Sequence, residues 1–167
     1  SLFFPGKTQY STDPPPVGLN ILTKVNSINP FNWIKVGREI KNKRPLLLVL
    51  RYWMPFMAPC MGTIARIVKK NHFTKIVAII DNIIPHEARF FDTCLSKYFL
   101  GSCHGFVAMS KSVLEDIGRF GNRKPRKFYP HPLYDTYGKP LSREEACQKL
   151  DLDPSFRYML FFGFVRE

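Results

Sequence analysis

Apolar residues fall into short dense runs along this chain, separated by stretches in which they recur every three or four positions. Leu46 to Leu50 is wholly apolar and reads as a strand buried on both faces. Lys75 to Ile80 is a second buried strand, rich in β-branched residues, and Gly105 to Met109 a third. Phe128 and Tyr129 suit a short fourth strand. The intervening stretches carry helical spacing. One helix starts at Asn29-Pro30, uses Phe31, Ile34 and Ile40 as an imperfect stripe, and ends in a basic run near Lys41. Another spans about Pro59 to Lys70, with Ile64, Ile67 and Val68 inward. A third is expected from about Glu87 to Leu100 on Phe91, Leu95 and Tyr98 or Phe99. Lys111 to Phe120 turns Val113, Leu114 and Ile117 inward and stops at Gly121. Ser142-Arg143-Glu144-Glu145 has the form of a capping box that opens a helix to about Leu150.

Strands alternating with helices predict an α/β chain, Rossmann-like, with a mostly parallel sheet and helices on both faces. Crossovers in such a sheet are right-handed, and ligands bind in the crevice beyond the carboxyl ends of the strands. Residues 1–29 lack periodicity and contain Pro14, Pro15 and Pro16, so they read as an extended Pro-rich loop. Residues 30–157 form the Rossmann-like body. Tyr158 to Phe164 is a last apolar run, and residues 158–167 look like the start of a further domain.

Composition changes this picture little. The chain has 167 residues, and with 45% hydrophobic content it can bury a sizeable core. No apolar run approaches the ~20 residues that cross a membrane. The four cysteines, Cys60, Cys94, Cys103 and Cys147, form no zinc-ligand spacing, and Cys94 and Cys147 read as small core residues of a reduced, cytosolic chain. The net charge of +12 is gathered at element boundaries, around Lys41, Lys69 and Lys124. Clusters placed so are not expected to bind nucleic acid; anionic lipid or a phosphorylated substrate suits them at least as well.

The strand ends carry the candidate chemistry. Arg51-Tyr52-Trp53-Met54-Pro55-Phe56 follows the first strand, and its aromatic rings either cover the sheet end or pack against sugar rings. Asp81-Asn82-Ile83-Ile84-Pro85-His86-Glu87 follows the second, and so many polar groups directly after a buried strand are costly unless used. Asp81 and Asn82 are expected to point into the crevice, and Glu87 to cap the next helix. Ser110 after the third strand reads as an N-cap. With Lys111 it also opens a helix whose free N–H groups suit a phosphate. Nucleophile-elbow, dinucleotide and Walker motifs are all missing.

The stretch DNIIPHEARFFDTCLSKYFLGSCHGFVAMSKSV, residues 81–113, resembles retaining glycosyltransferases of family four, which have the GT-B fold. RYWMPFMAP with GTIARIVKK, YPHPLYDTYG and LFFGFVRE are similar to other segments of that family in the same order, so the resemblance covers about residues 45–167. It implies an acceptor-side domain of an enzyme that moves a sugar from a nucleotide-sugar donor to a sugar or lipid-linked acceptor, with retention, in surface polysaccharide synthesis. Neither a cofactor nor a metal is implied. Asp81, Asn82 and His86 would then line the cleft near the transferred sugar. Ser110 and Lys111 would form its phosphate-binding floor, Tyr52 and Trp53 would face the acceptor, and Arg51 would hold an anionic acceptor group. Asp81 stands where many relatives carry His. The first βαβ unit and the donor domain lie outside residues 1–167, so this stretch alone is expected to be inactive. Its open sheet edge invites self-association. The expected location is the cytoplasm, with peripheral contact at the inner face of the membrane. The alternatives are a non-catalytic α/β module binding anionic lipid or nucleic acid, and a hydrolytic Asp–His site built on Asp81 and His86.

Overall fold

A computed structural model of the chain describes residues 16–84, 91–120, 123–132 and 138–161. Its elements run α1 (Pro30–Lys43), β1 (Leu47–Tyr52), a 3-10 turn (Pro55–Met57), α2 (Ala58–Lys69), β2 (Lys75–Ile80), α3 (Asp92–Ser102), β3 (Gly105–Ala108), α4 (Lys111–Arg119), β4 (Arg126–Phe128) and α5 (Arg143–Leu150). The fold is α/β and Rossmann-like: a four-stranded, all-parallel sheet in the order β1-β2-β3-β4, flanked by helices. The chain divides into two compact units, Ser1–His131 and Pro132–Glu167.

The helix boundaries follow from local chemistry. Asn29 accepts hydrogen bonds from the Phe31 and Asn32 N–H groups, and Pro30 takes the first helical position, where no donor is needed. Ser110 caps α4 by accepting from the Val113 N–H. Ser142 and Glu145 form the expected reciprocal capping box of α5.

Alternate strand residues build the core. Leu48, Leu50, Tyr52, Ile76, Ala78, Ile80, Phe106 and Ala108 meet Val36 of α1, Ile64 and Val68 of α2, Phe99 and Leu100 of α3, and Val113 and Ile117 of α4 in one cluster. The intervening positions are drier in sequence than in space. Leu47 and Val49 stay about half exposed, at 50% and 48%, so β1 is not buried on both faces as its apolar run suggests. Among the described residues it is an edge strand, and Leu48, Leu50 and Tyr52 on its other face join the core cluster.

Close approach of the helices depends on two glycines. A Cβ at Gly37 of α1 would lie 3.1 Å from Ile67 of α2. At Gly62 of α2 it would lie 2.5 Å from the Tyr98 ring of α3. That ring has little freedom to yield, because Arg66 stacks 4.2 Å from its centroid and Thr63 hydrogen-bonds its hydroxyl at 3.0 Å.

Of the stripe expected on α3, Phe99 is buried and Leu95 packs half-buried against the core, but Phe91 does not join them. Ser96, Phe99, Leu100 and Ser102 are buried, whereas Phe91 is 70% exposed. Cys94 lies roughly 200° around the helix from Ser96, at 100° per residue, and is therefore exposed rather than a core residue. Cys147 is buried as expected. Burial pushes the Cys60 and Cys103 thiols up to about 11. Ellman's reagent should therefore modify Cys94 rapidly in the native protein and reach all four thiols only after denaturation. Fast native-state reaction of Cys60 or Cys103 would contradict this packing.

In the second unit, Arg143 donates to the Pro154 and Phe156 carbonyls at 3.0 and 2.7 Å, tying the turn after α5 back to its first residue. Residues 158–161 form no strand; residues 162–167 of the last apolar run lie outside the described residues.

Candidate functional site

Parallel strands all end at one edge, so the residues following β1 to β4 share a rim. The ladder continues one residue past β2, β3 and β4. Asp81 N–H donates to Tyr52 O at 2.9 Å, Met109 N–H to Ile80 O at 3.2 Å, and Tyr129 N–H to Ala108 O at 2.9 Å. Trp53, Asp81-Asn82 and Met109-Ser110 are thereby brought to neighbouring strand ends, as the sequence leads one to expect.

Among the described residues, the rim holds one ion pair. Arg51 Nε donates to Asp81 Oδ2 at 2.8 Å, with the side chains 60% and 25% exposed. Asp81 Oδ1 is buried and has no hydrogen-bond partner among the described residues. A buried polar oxygen left so costs about 1–3 kcal/mol, and a group kept at such a cost is a candidate for function. The Nε of Arg51, the residue expected to hold an anionic acceptor group, is given to Asp81.

Trp53, Met54 and Phe56 expose 44%, 40% and 45% of their surface beside this pair, an apolar lip on a charged rim. Asn82 is half-buried and Ile83 fully so. Ser110 Oγ accepts from the Val113 N–H at 3.2 Å and lies 3.0 Å from Ser112 Oγ, while Lys111 at the first position of α4 is exposed. His86, together with Glu87, lies outside the described residues.

Tyr52 does not face an acceptor. It has 0% exposure and stacks on Phe99 with centroids 4.2 Å apart and planes 8° from parallel. The cause is strand parity: Arg51 points outward, so Tyr52 points into the helical layer. Its hydroxyl lies 3.3 Å from Ser96 Oγ, and Ser96 Oγ donates to Ile83 O at 3.2 Å. Burial raises the Tyr52 phenol to about 12, which keeps it neutral and able to donate. Sequence reasoning passed over Ser96. Its signal is a lone serine on the helical face that also carries Phe99 and Leu100.

His72 and His104 lie elsewhere. His72 is exposed in a left-handed turn with φ 53°. His104 is not a plain surface residue: its Nδ1 accepts from the Ile76 N–H at 2.9 Å. That bond requires the neutral ring, and burial, then Lys69, Lys75 and Lys124, lowers its pKa. Among the described residues, no three His, Cys, Asp or Glu side chains gather as a metal ion would need, and no helix is long and apolar enough to cross a membrane.

No protein-family model, no curated protein and no solved structure is significantly similar to the chain.

Proposed function

We propose that this chain supplies the acceptor-side wall of a GT-B-type glycosyltransferase. The enzyme would move a sugar from a nucleotide-sugar donor to a hydroxyl of a sugar or lipid-linked acceptor with retention, in surface polysaccharide synthesis. One observation carries the reading: a carboxylate with a buried, unpartnered oxygen stands at the carboxyl rim of a parallel sheet, where such folds bind ligands. The family resemblance of residues 81–113 supplies the chemical identity.

In this reading Asp81 accepts a hydrogen bond from a substrate hydroxyl, and the Arg51 ion pair fixes the carboxylate's orientation. Trp53 offers an aromatic face to a sugar ring, because the C–H face of a pyranose is apolar. Asn82 lines the same wall. Ser110 and Lys111 bring a helix N-terminus and a cation to the rim, which suits a phosphate-bearing partner. His86 keeps the catalytic role implied by the resemblance. The donor site belongs to a domain beyond residues 1–167. The basic surface would hold the enzyme against anionic lipid at the inner face of the membrane.

Nucleotide release from a panel of UDP-, GDP- and CDP-sugars tests the proposal in a protein that joins this chain to its donor-binding half. Release is expected with one donor class and should rise when acceptor glycan is added. The chain by itself should give none. Absence of acceptor-stimulated release across the panel, in a folded two-domain protein, would overturn the reading.

A further inference from the structure

The turn that carries Asp81 and Asn82 is fastened from beneath by a single residue of the neighbouring strand. At its start, Asp81 N–H donates to the Tyr52 carbonyl at 2.9 Å. Two residues on, the Ile83 carbonyl accepts from Ser96 Oγ at 3.2 Å, and Ser96 Oγ lies 3.3 Å from Tyr52 Oη. Tyr52 therefore grips both ends of the turn, through its backbone at one end and through Ser96 at the other. All three parts are sealed from water: Tyr52 and Ser96 are 0% exposed and Ile83 1%.

Proton counting fixes the direction of this chain. A serine hydroxyl has one hydrogen, and Ser96 gives it to Ile83 O. Tyr52 must then be the donor to Ser96. The phenol stays protonated well above neutral pH, so the direction holds under working conditions. The two hydroxyls are consequently unequal. Losing the Ser96 hydroxyl strands both the Ile83 carbonyl and the Tyr52 O–H inside the protein. Losing the Tyr52 hydroxyl leaves the Ser96–Ile83 bond intact.

We propose that Tyr52 and Ser96 form a buried latch that holds the 81–84 turn in its working conformation, which makes both of them positioning residues for the site. Their catalytic consequence rests on the transferase reading above; the latch itself does not. Both side chains are closed off from solvent, so neither touches substrate. Their influence passes through the placement of Asp81.

Amide hydrogen exchange on the intact chain tests the latch without any substrate. Ser96→Ala should speed exchange across residues 81–84 by about fivefold to tenfold, the loss of roughly one buried hydrogen bond, with β2 and β3 amides unchanged. Tyr52→Phe should give a smaller increase. Ser96→Cys, which keeps a weaker donor in nearly the same volume, should fall between wild type and the alanine variant, and is informative even where alanine fails to fold. A uniform rise over the whole sheet, no change at 81–84, or a larger effect from Tyr52→Phe than from Ser96→Ala would overturn the proposal. In the two-domain enzyme, Ser96→Ala should lower kcat by about tenfold with KM little changed, as misplacement of a reacting group does. Faster exchange in a protein that proves to transfer no sugar leaves the latch standing and removes the transferase reading.

Discussion

Replacing Asp81 by alanine is expected to cost at least a hundredfold in sugar transfer while leaving the fold as stable as before, or more so. Two opposing contributions decide the stability. The Arg51 end of the Arg51–Asp81 pair is open to solvent, and pairs screened in this way contribute about 0–1 kcal/mol. Against it stands the buried, partnerless Oδ1, whose removal recovers about 1–3 kcal/mol. The second contribution is at least as large as the first, so the midpoint of thermal unfolding should hold or rise slightly. Activity should move the other way. A side chain that takes part in proton transfer or charge stabilisation at the reacting centre contributes about 10²–10⁴-fold. Opposed signs of this kind mark a residue retained for function rather than for folding. Calorimetry and nucleotide release on the same preparation separate the outcomes. A fully active variant would remove Asp81 from the mechanism, and a steep fall in the unfolding midpoint would make it a structural residue.

Phe99→Ala should have the largest effect on stability. Phe99 is wholly buried at the centre of the main cluster and is the platform on which the Tyr52 ring stacks. Deleting a phenyl group from such a site costs about 3–5 kcal/mol, partly for lost burial and partly for the cavity left behind. Aromatic stacking adds about 0.5–1.5 kcal/mol beyond the area buried. A typical domain is stable by only about 5–15 kcal/mol, so this one truncation removes a large share. Urea unfolding should show a midpoint shifted down by that amount at unchanged slope; a loss below about 1 kcal/mol would mean the site collapses around the gap or that the stack contributes little. Phe99→Leu should recover more than half of the loss, because most of the volume returns.

The elements of the fold were readable because burial writes itself into strand sequences. Lys75–Ile80 was bounded correctly from its β-branched run, and Gly105 and Ser110 marked the limits of the third strand and the next helix. The side chains were harder. In Leu46–Leu50 an unbroken apolar run masked the alternation that sends Leu48, Leu50 and Tyr52 inward and Arg51 outward. With that parity recognised, Tyr52 could not have been placed against an acceptor. In α3 the search for an apolar stripe favoured Phe91 and passed over Ser96 and Ser102, which are buried because each hydrogen-bonds a backbone carbonyl. A polar residue satisfied inside the core looks the same in sequence as one in water. The Arg51–Asp81 contact joins residues thirty positions apart and depends on strand register, which no local pattern encodes.

The contact at Gly62 has a reach beyond the helices it separates. α2 leads away from the turn that carries Phe56, and α3 carries Ser96 beneath Ile83. The gap between these two helices therefore bears on the spacing between the Phe56 turn and the turn that Ser96 supports. Position 62 acts as a spacer of zero thickness, and any shim placed there would press on the Tyr98 ring and force the two helices apart.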